Sequence, residues 1–387
     1  MWSSRQKMGY LSFTGHWIDD AWIMQKRILS FKVVEYPHTG DSLAAHVYEE
    51  LITWHLHDKF FSLTLDNASS NDVLVSQLGS RLMLSSINKQ LLLVRCTCHI
   101  LNLIVQDGLA ILAPSIEKIT TIVRSMNSSI KRHEVWLKSC AELGLSKRNI
   151  DIDVPHRWNS TYELLNVAVK YKTALHRYCQ KINESRNCSL VVPSEHDWVV
   201  ATLCMNFLSI FSSATKVCSG VYSPTANKVI KNLVDIYATF DAYKQLDSFR
   251  TAFEAMKHKF DKYWSEFPIV FCLATIMDPR FKLLAIEAWL TVYDLSELEI
   301  KLKIDEPKSL LYQVYEIYNR NLHASSMTST RASTNPVQAA CSNDVGVESI
   351  DVNIPIVPAN AMSRLKRARV STSSSSSDLQ MYLDLDT

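Results

Sequence analysis

The stretch from Phe60 to Val73, reading FFSLTLDNASSNDV, constrains the fold of this chain more than any other. Its first six residues are a short apolar run, rich in β-formers and bounded by polar residues, which predicts a buried strand over Phe60 to Leu65. Asp66 closes the run at the strand's carboxyl end, where an α/β sheet presents its ligands and its chemistry. Asn67 to Asn71 supplies turn formers and an N-cap, and Val73, Leu74, Leu78 and Leu82 recur at helical spacing. A carboxylate so placed can hold a divalent cation. It can equally serve as a turn or capping residue, and the stretch alone leaves both readings open.

The flanking segments extend this α/β reading. Tyr10 to Ile18 alternates towards a turn at Asp19-Asp20, and Trp22 to Phe31 returns as a second strand, which predicts a hairpin without a first partner. Leu43, Val47, Leu51 and Trp54 predict a helix capped by Asp41 or Ser42. Leu91 to Cys96 reads as another buried strand, and His99 to Leu112 as a helix. From Pro114 to about Arg320 the periodicity is almost wholly helical, over Trp198 to Phe211, Val229 to Tyr243 and Phe249 to Trp264 among others. Prolines 155, 193, 224, 268 and 279 mark the joints, and Phe267 to Val270 leaves room for one short strand. Beyond His323 serine, threonine, alanine and asparagine dominate, and Ser373 to Ser377 is a homopolymer, which predicts a disordered linker.

Seven blocks carry a resemblance: GYLSFTGHWIDDAWIMQKRILSF (residues 9–31), PHTGDS (37–42), LTLDNASSND (63–72), VRCTCHILNLIVQDGL (94–109), DVPHRWNSTYELL (153–165), KFDKYW (259–264) and MDPRFKL (277–283). In this order they resemble the plant hAT-type transposases and their domesticated relatives, the BED-zinc-finger proteins of the RICESLEEPER and DAYSLEEPER kind, over roughly residues 1–320. The resemblance implies an α/β plus all-α architecture: a ribonuclease-H-like mixed sheet, its first strand missing, with a large helical insertion domain. The expected division is a partial core over 1–113, the insertion domain over 114–322, the Ser/Thr-rich linker over 323–377 and the start of a C-terminal dimerisation segment over 378–387.

In that family two aspartates and a glutamate hold two divalent ions that clamp the attacking and leaving oxygens of a phosphodiester. Asp66 matches the second aspartate. The first immediately precedes the Met-Trp-Ser of residues 1–3, and the glutamate follows the insertion, so neither falls within this sequence. The expectation is a degenerate transposase, not an enzyme, with no cofactor of its own and Asp66 a weak metal ligand at most; Mg²⁺ belongs to full-length active relatives. The family's Cys-x-x-His pair maps onto Cys96 and His99, an ordering motif near the start of the insertion. With no second ligand pair at finger-like spacing, zinc is not expected there. The resemblance assigns DNA contact to Arg157 and Trp158, the tryptophan stacking near a flipped base in a cleft shared with Asp66.

The net charge of +2 makes no global case for a nucleic-acid partner, so any basic surface is a local patch. Nine cysteines, scattered apart from Cys96 and Cys98, read as reduced thiols rather than a disulfide framework. No apolar run approaches the ~20 residues of a membrane span, and no membrane partner is expected. Lys366, Arg367 and Arg369 form a basic cluster that predicts nuclear localisation. The functional expectation is a transposase-derived DNA-binding protein, either a domesticated regulator of transcription or a decayed element, dimeric only with the C-terminal segment present. The alternatives are an active metal-dependent transposase or nuclease whose gene model is truncated, and a helical interaction scaffold without DNA contact.

Overall fold

The computed structural model describes residues 2–3, 8–154, 157–185, 189–246, 249–264, 269–293, 295–328 and 378–384. The chain forms two compact units, Met1–Ala274 and Thr275–Thr387. In the first unit β1 (Trp2–Ser3), β2 (Gly9–Ile18) and β3 (Met24–Val34) make an antiparallel sheet in that order. Trp2 lies opposite Tyr10, so the hairpin does have a first partner, which corrects the expectation that it lacks one. Trp22 and Ile23 belong to the turn, where Trp22 has φ +61°, and β3 starts only at Met24. Asp19 holds that turn by accepting bonds from the Ala21 and Ile23 amides at 3.1 and 2.9 Å and from Gln25 Nε2 at 2.7 Å.

Next follow α1 (Gly40–Thr53), β4 (Leu63–Leu65), α2 (Ser70–Arg81), α3 (Ser86–Leu92) and β5 (Leu93–Arg95). Thr39, not Asp41 or Ser42, caps α1, its hydroxyl accepting the Ser42 amide at 3.2 Å. One mixed sheet was expected; the described residues form two. β4 pairs in parallel with β5 alone, Leu63 to Leu65 opposite Leu93 to Arg95, and the pair is three residues long because Leu91 and Leu92 finish α3. A single core joins these parts. Phe13, Val34, Leu43, Ala44, Val47, Leu51, Leu74 and Leu78 are buried together, with Leu63 and Leu65 packed against them. Gly40 permits a close approach of α1 to α2, since a Cβ there would stand 2.5 Å from the Ser70 carbonyl oxygen and 2.6 Å from Val73 Cβ.

Helices make up the rest of the described first unit: α4 (Thr97–Asn127), α5 (Ile130–Glu142), α6 (Trp158–Lys170), α7 (Lys172–Glu184), α8 (Glu195–Cys218), α9 (Ala226–Tyr243), α10 (Arg250–Trp264) and α11 (Ile269–Ile276), whose last two residues already belong to the second unit. Ile269 and Val270 are helical, so they do not extend a strand. α4 runs unbroken past the boundary expected at 113/114, with Pro114 inside it. Ala110, Ile111 and Pro114 all face solvent, where water can satisfy the carbonyl that a proline four residues on leaves unbonded. Thr97–Pro114 and Glu195–Cys218 are long and apolar enough to cross a membrane by length and composition, contrary to the reading of the sequence. Their apolar residues are bundle core: Ile100, Ile104, Phe207 and Phe211 are all buried. Phe207 meets Phe211, Phe240, Tyr243 and Phe253 at ring-centroid distances of 5.3, 5.6, 5.5 and 4.5 Å. The KFDKYW block closes this bundle, with Phe260 and Trp264 buried and Lys259 paired to Asp107 at 2.7 Å.

The second unit contains α12 (Lys282–Thr291), α13 (Glu297–Thr328) and α14 (Asp378–Asp384). α13 carries Pro307 in its interior and continues to Thr328, past the expected start of the linker at 323. The remainder of that linker, with Lys366, Arg367 and Arg369, lies outside the described residues.

Candidate site at the end of the parallel strand pair

Parallel pairing puts the carboxyl ends of β4 and β5 side by side, and the Cys96 amide donates to the Leu65 carbonyl at 2.7 Å to close the ladder. Asp66 therefore emerges beside Cys96, with its side chain half-buried. Its Oδ1 accepts the Ala68 amide at 3.2 Å and Asn71 Nδ2 at 2.7 Å, and the same Nδ2 donates to the Asp66 carbonyl at 2.9 Å. This is an Asx-type turn that launches α2, whose N-cap Ser69 makes no side-chain cap bond. Asp72, in the first turn of α2, accepts from Arg95 Nη2 at 2.9 Å and also sits favourably at the helix's positive end. Both partners of that pair are exposed, which holds its net worth to about 0–1 kcal/mol.

Among the described residues no three His, Cys, Asp or Glu side chains gather so as to hold a metal ion. A two-ion phosphodiester site needs several carboxylate oxygens around each ion. The described residues at this strand end, one aspartate engaged in its own turn and a second paired to an arginine, do not fit that group. Cys96 is the N-cap of α4 without a side-chain cap bond, and His99 lies one turn on. Cys98 lies in the first turn of α4. Its Sγ reaches the Thr215 carbonyl of α8 at 3.8 Å, and burial, then the neighbouring Cys96, pushes the thiol up to about 11.

Arg157 and Trp158 stand at the start of α6 and part company there. Arg157 is the N-cap, its side chain exposed and in no ion pair among the described residues. Trp158 is only 5% exposed and meets Phe211 of α8 edge-on at 6.5 Å, so neither ring face is open to a base in this conformation. Ser160 lies in the first turn of α6. Its hydroxyl accepts the Val154 amide at 2.7 Å and donates to the Arg157 carbonyl at 2.6 Å, fixing the segment that presents the arginine. Asp153, the first residue of the same block, pairs with Arg124 of α4 at 3.1 Å. The bonds that Asn71 and Ser160 make, and the pairing of Arg95 with Asp72, were not specified by the residue pattern. The turn composition around Asp66 was the one available sign of Asn71, Ser160 bonds locally to Val154 and Arg157, and only the Arg95–Asp72 pair joins segments 23 residues apart.

With this geometry in view, three families match: "ZBED1 RNase-like domain" over residues 1–91, "ZBED1 RNase-like helical domain" over 94–207, and "hAT-like transposase, RNase-H fold" over 225–318. Together they define a ribonuclease-H-like, transposase-type protein with a helical region. A Zea mays protein named for the AC transposase is 36% identical over 326 residues, 82% of this chain and 40% of that protein. RICESLEEPER 2 of Oryza sativa subsp. japonica is 29% identical over 81% of the chain and 44% of its own length, and DAYSLEEPER of Arabidopsis thaliana 26% over 74% and 41%. The chain's homologues are plant hAT transposases and the RICESLEEPER and DAYSLEEPER BED-zinc-finger proteins. It spans 40 to 44% of the length of these relatives.

Proposed function

We propose that this chain is a DNA-binding member of the hAT family that cuts no DNA on its own, a transposase derivative acting in the nucleus as a regulator or remaining as the residue of an element. The observation that carries the reading is the state of the two carboxylates at the strand end. Asp66 Oδ1 is engaged by Ala68 and Asn71, and Asp72 is bound to Arg95, so both serve the local fold. Arg157 is the residue that contacts DNA. Its exposed guanidinium stands at a helix N-terminus, on a segment braced by Ser160, where a phosphate is favoured by both charge and dipole. Trp158 positions that segment through its packing on Phe211; it would stack on a base only after leaving the core. Cys96 and His99 order the start of α4, and Lys366, Arg367 and Arg369 direct nuclear entry.

The active-enzyme alternative retains one supporting observation: Asp66 Oδ2 accepts no hydrogen bond among the described residues, and so remains open to a cation. The DNA reading is tested by fluorescence anisotropy on duplex DNA across a salt series. Binding should weaken with salt, and Arg157→Ala should lower the log–log slope by about one, the signature of one lost phosphate contact. Duplex binding that is absent, or unchanged by Arg157→Ala, would favour the interaction scaffold.

A further inference from the structure

The MDPRFKL block carries no part of the function proposed above, yet its turn is built with unusual care. Asp278 is buried, and accepts the Arg280 amide at 3.0 Å, Arg280 Nε at 2.9 Å and Arg280 Nη2 at 2.7 Å. Lys282 then begins α12 with φ +47° while buried, a left-handed backbone that a side chain adopts only where its surroundings impose it. α14 lies against this turn. It has seven residues, too few to be stable as an isolated helix, so its order comes from what it touches. Leu379 and Leu383, one turn apart, are 5% and 3% exposed. Tyr382 donates its hydroxyl to the Ile276 carbonyl at 3.2 Å, and Lys282 Nζ lies 5.1 Å from the centre of its ring. Tyr312 of α13 donates to Gln380.

We propose that the 276–282 turn, with the adjoining face of α13, is a docking site for a short acidic amphipathic helix of the pattern Leu-x-x-Tyr-Leu-Asp, and that its occupant is the chain's own α14. Leucine at the first position, with tyrosine and leucine three and four residues on, puts all three anchors on one helix face, the helix-in-groove mode of peptide recognition. Asp378 and Asp384 give the helix its acidic character, and Lys282 supplies the cation over the tyrosine ring. A tether of 49 residues, 329–377, joins α13 to α14, and a covalent tether favours the chain's own helix over one from a second copy.

Hydrogen–deuterium exchange on the full chain tests this. Amides of 378–384 should exchange about tenfold or more slowly relative to a free peptide of residues 376–387, and protection should hold on dilution. Leu379→Ala combined with Leu383→Ala should abolish that protection and speed exchange over 276–286, and excess peptide should restore the latter. Tyr382→Phe, which loses only the bond to Ile276, should give a partial loss. Exchange of 378–384 at the free-peptide rate, a double variant without effect on 276–286, or a peptide that restores nothing would each overturn the proposal. Protection that falls on dilution would assign the helix to a second copy and overturn the intramolecular form.

Discussion

Asn71 Nδ2 donates to both Asp66 Oδ1 and the Asp66 carbonyl, at 2.7 and 2.9 Å, and so ties the end of β4 to the first turn of α2. One buried amide thus holds Asp66, the candidate metal carboxylate of the sequence reading, in a turn-forming role. Asn71→Ala should remove this tie and leave the Asp66 carbonyl and carboxylate underbonded, at a cost of about 1–3 kcal/mol. Urea unfolding of the variant against the parent measures it. A change near zero would mean that Asp66 does not depend on Asn71.

Gly40→Ala should be at least as damaging. Its Cβ would stand 2.5 Å from a backbone oxygen and 2.6 Å from a β-branched Cβ, and neither neighbour is a flexible chain end. Overpacking of this kind costs about 1–3 kcal/mol. A lowered midpoint in thermal or urea unfolding is the expected outcome; unchanged stability would show that α1 and α2 separate freely.

Asp197 makes the stability of the helical region sensitive to acid. Its bond with Lys118 of α4, then the hydroxyl and amide of Ser194, holds the carboxyl down at about 2, below an ordinary value of 3.8. A lowered folded value stabilises above the unfolded value and is lost as pH falls, so the contribution present at neutral pH should disappear between about pH 4 and pH 2. Asp197→Ala should flatten that part of the stability profile and cost about 1–2 kcal/mol at pH 7 through the lost cap. Unfolding midpoints of parent and variant measured from pH 2 to 7 check both the sign and the window.

The residue pattern made much of this architecture legible, and its gaps have physical causes. Alternation revealed the hairpin, and the apolar run ending in Asp66 revealed the strand end, because side-chain periodicity reports directly on burial. The length of β4 was overestimated. A run of β-formers announces apolar burial, whereas pairing depends on a partner, and α3 leaves β5 only three residues to offer. Pro114 misled in a similar way: it leaves the Ala110 carbonyl without its helical bond, but Ala110 faces solvent, where water can take that bond and the helix continues. The residue pattern singled out Asp66 and the Arg157-Trp158 pair as candidates but could not separate an exposed arginine from a buried tryptophan. Adjacent residues on a helix point about 100° apart, and Phe211, the partner that buries Trp158, is 53 residues away.

Strand cleavage tests the central claim most directly. The purified chain should be incubated with supercoiled and linear duplex DNA in Mg²⁺ or Mn²⁺, alongside Asp66→Ala. The expected result is no nicking or joining above background, and identical traces for the two proteins, because Asp66 serves its turn and no set of carboxylates gathers around a metal among the described residues. Metal-dependent cleavage by the parent that Asp66→Ala abolishes would contradict it and make this chain an active nuclease.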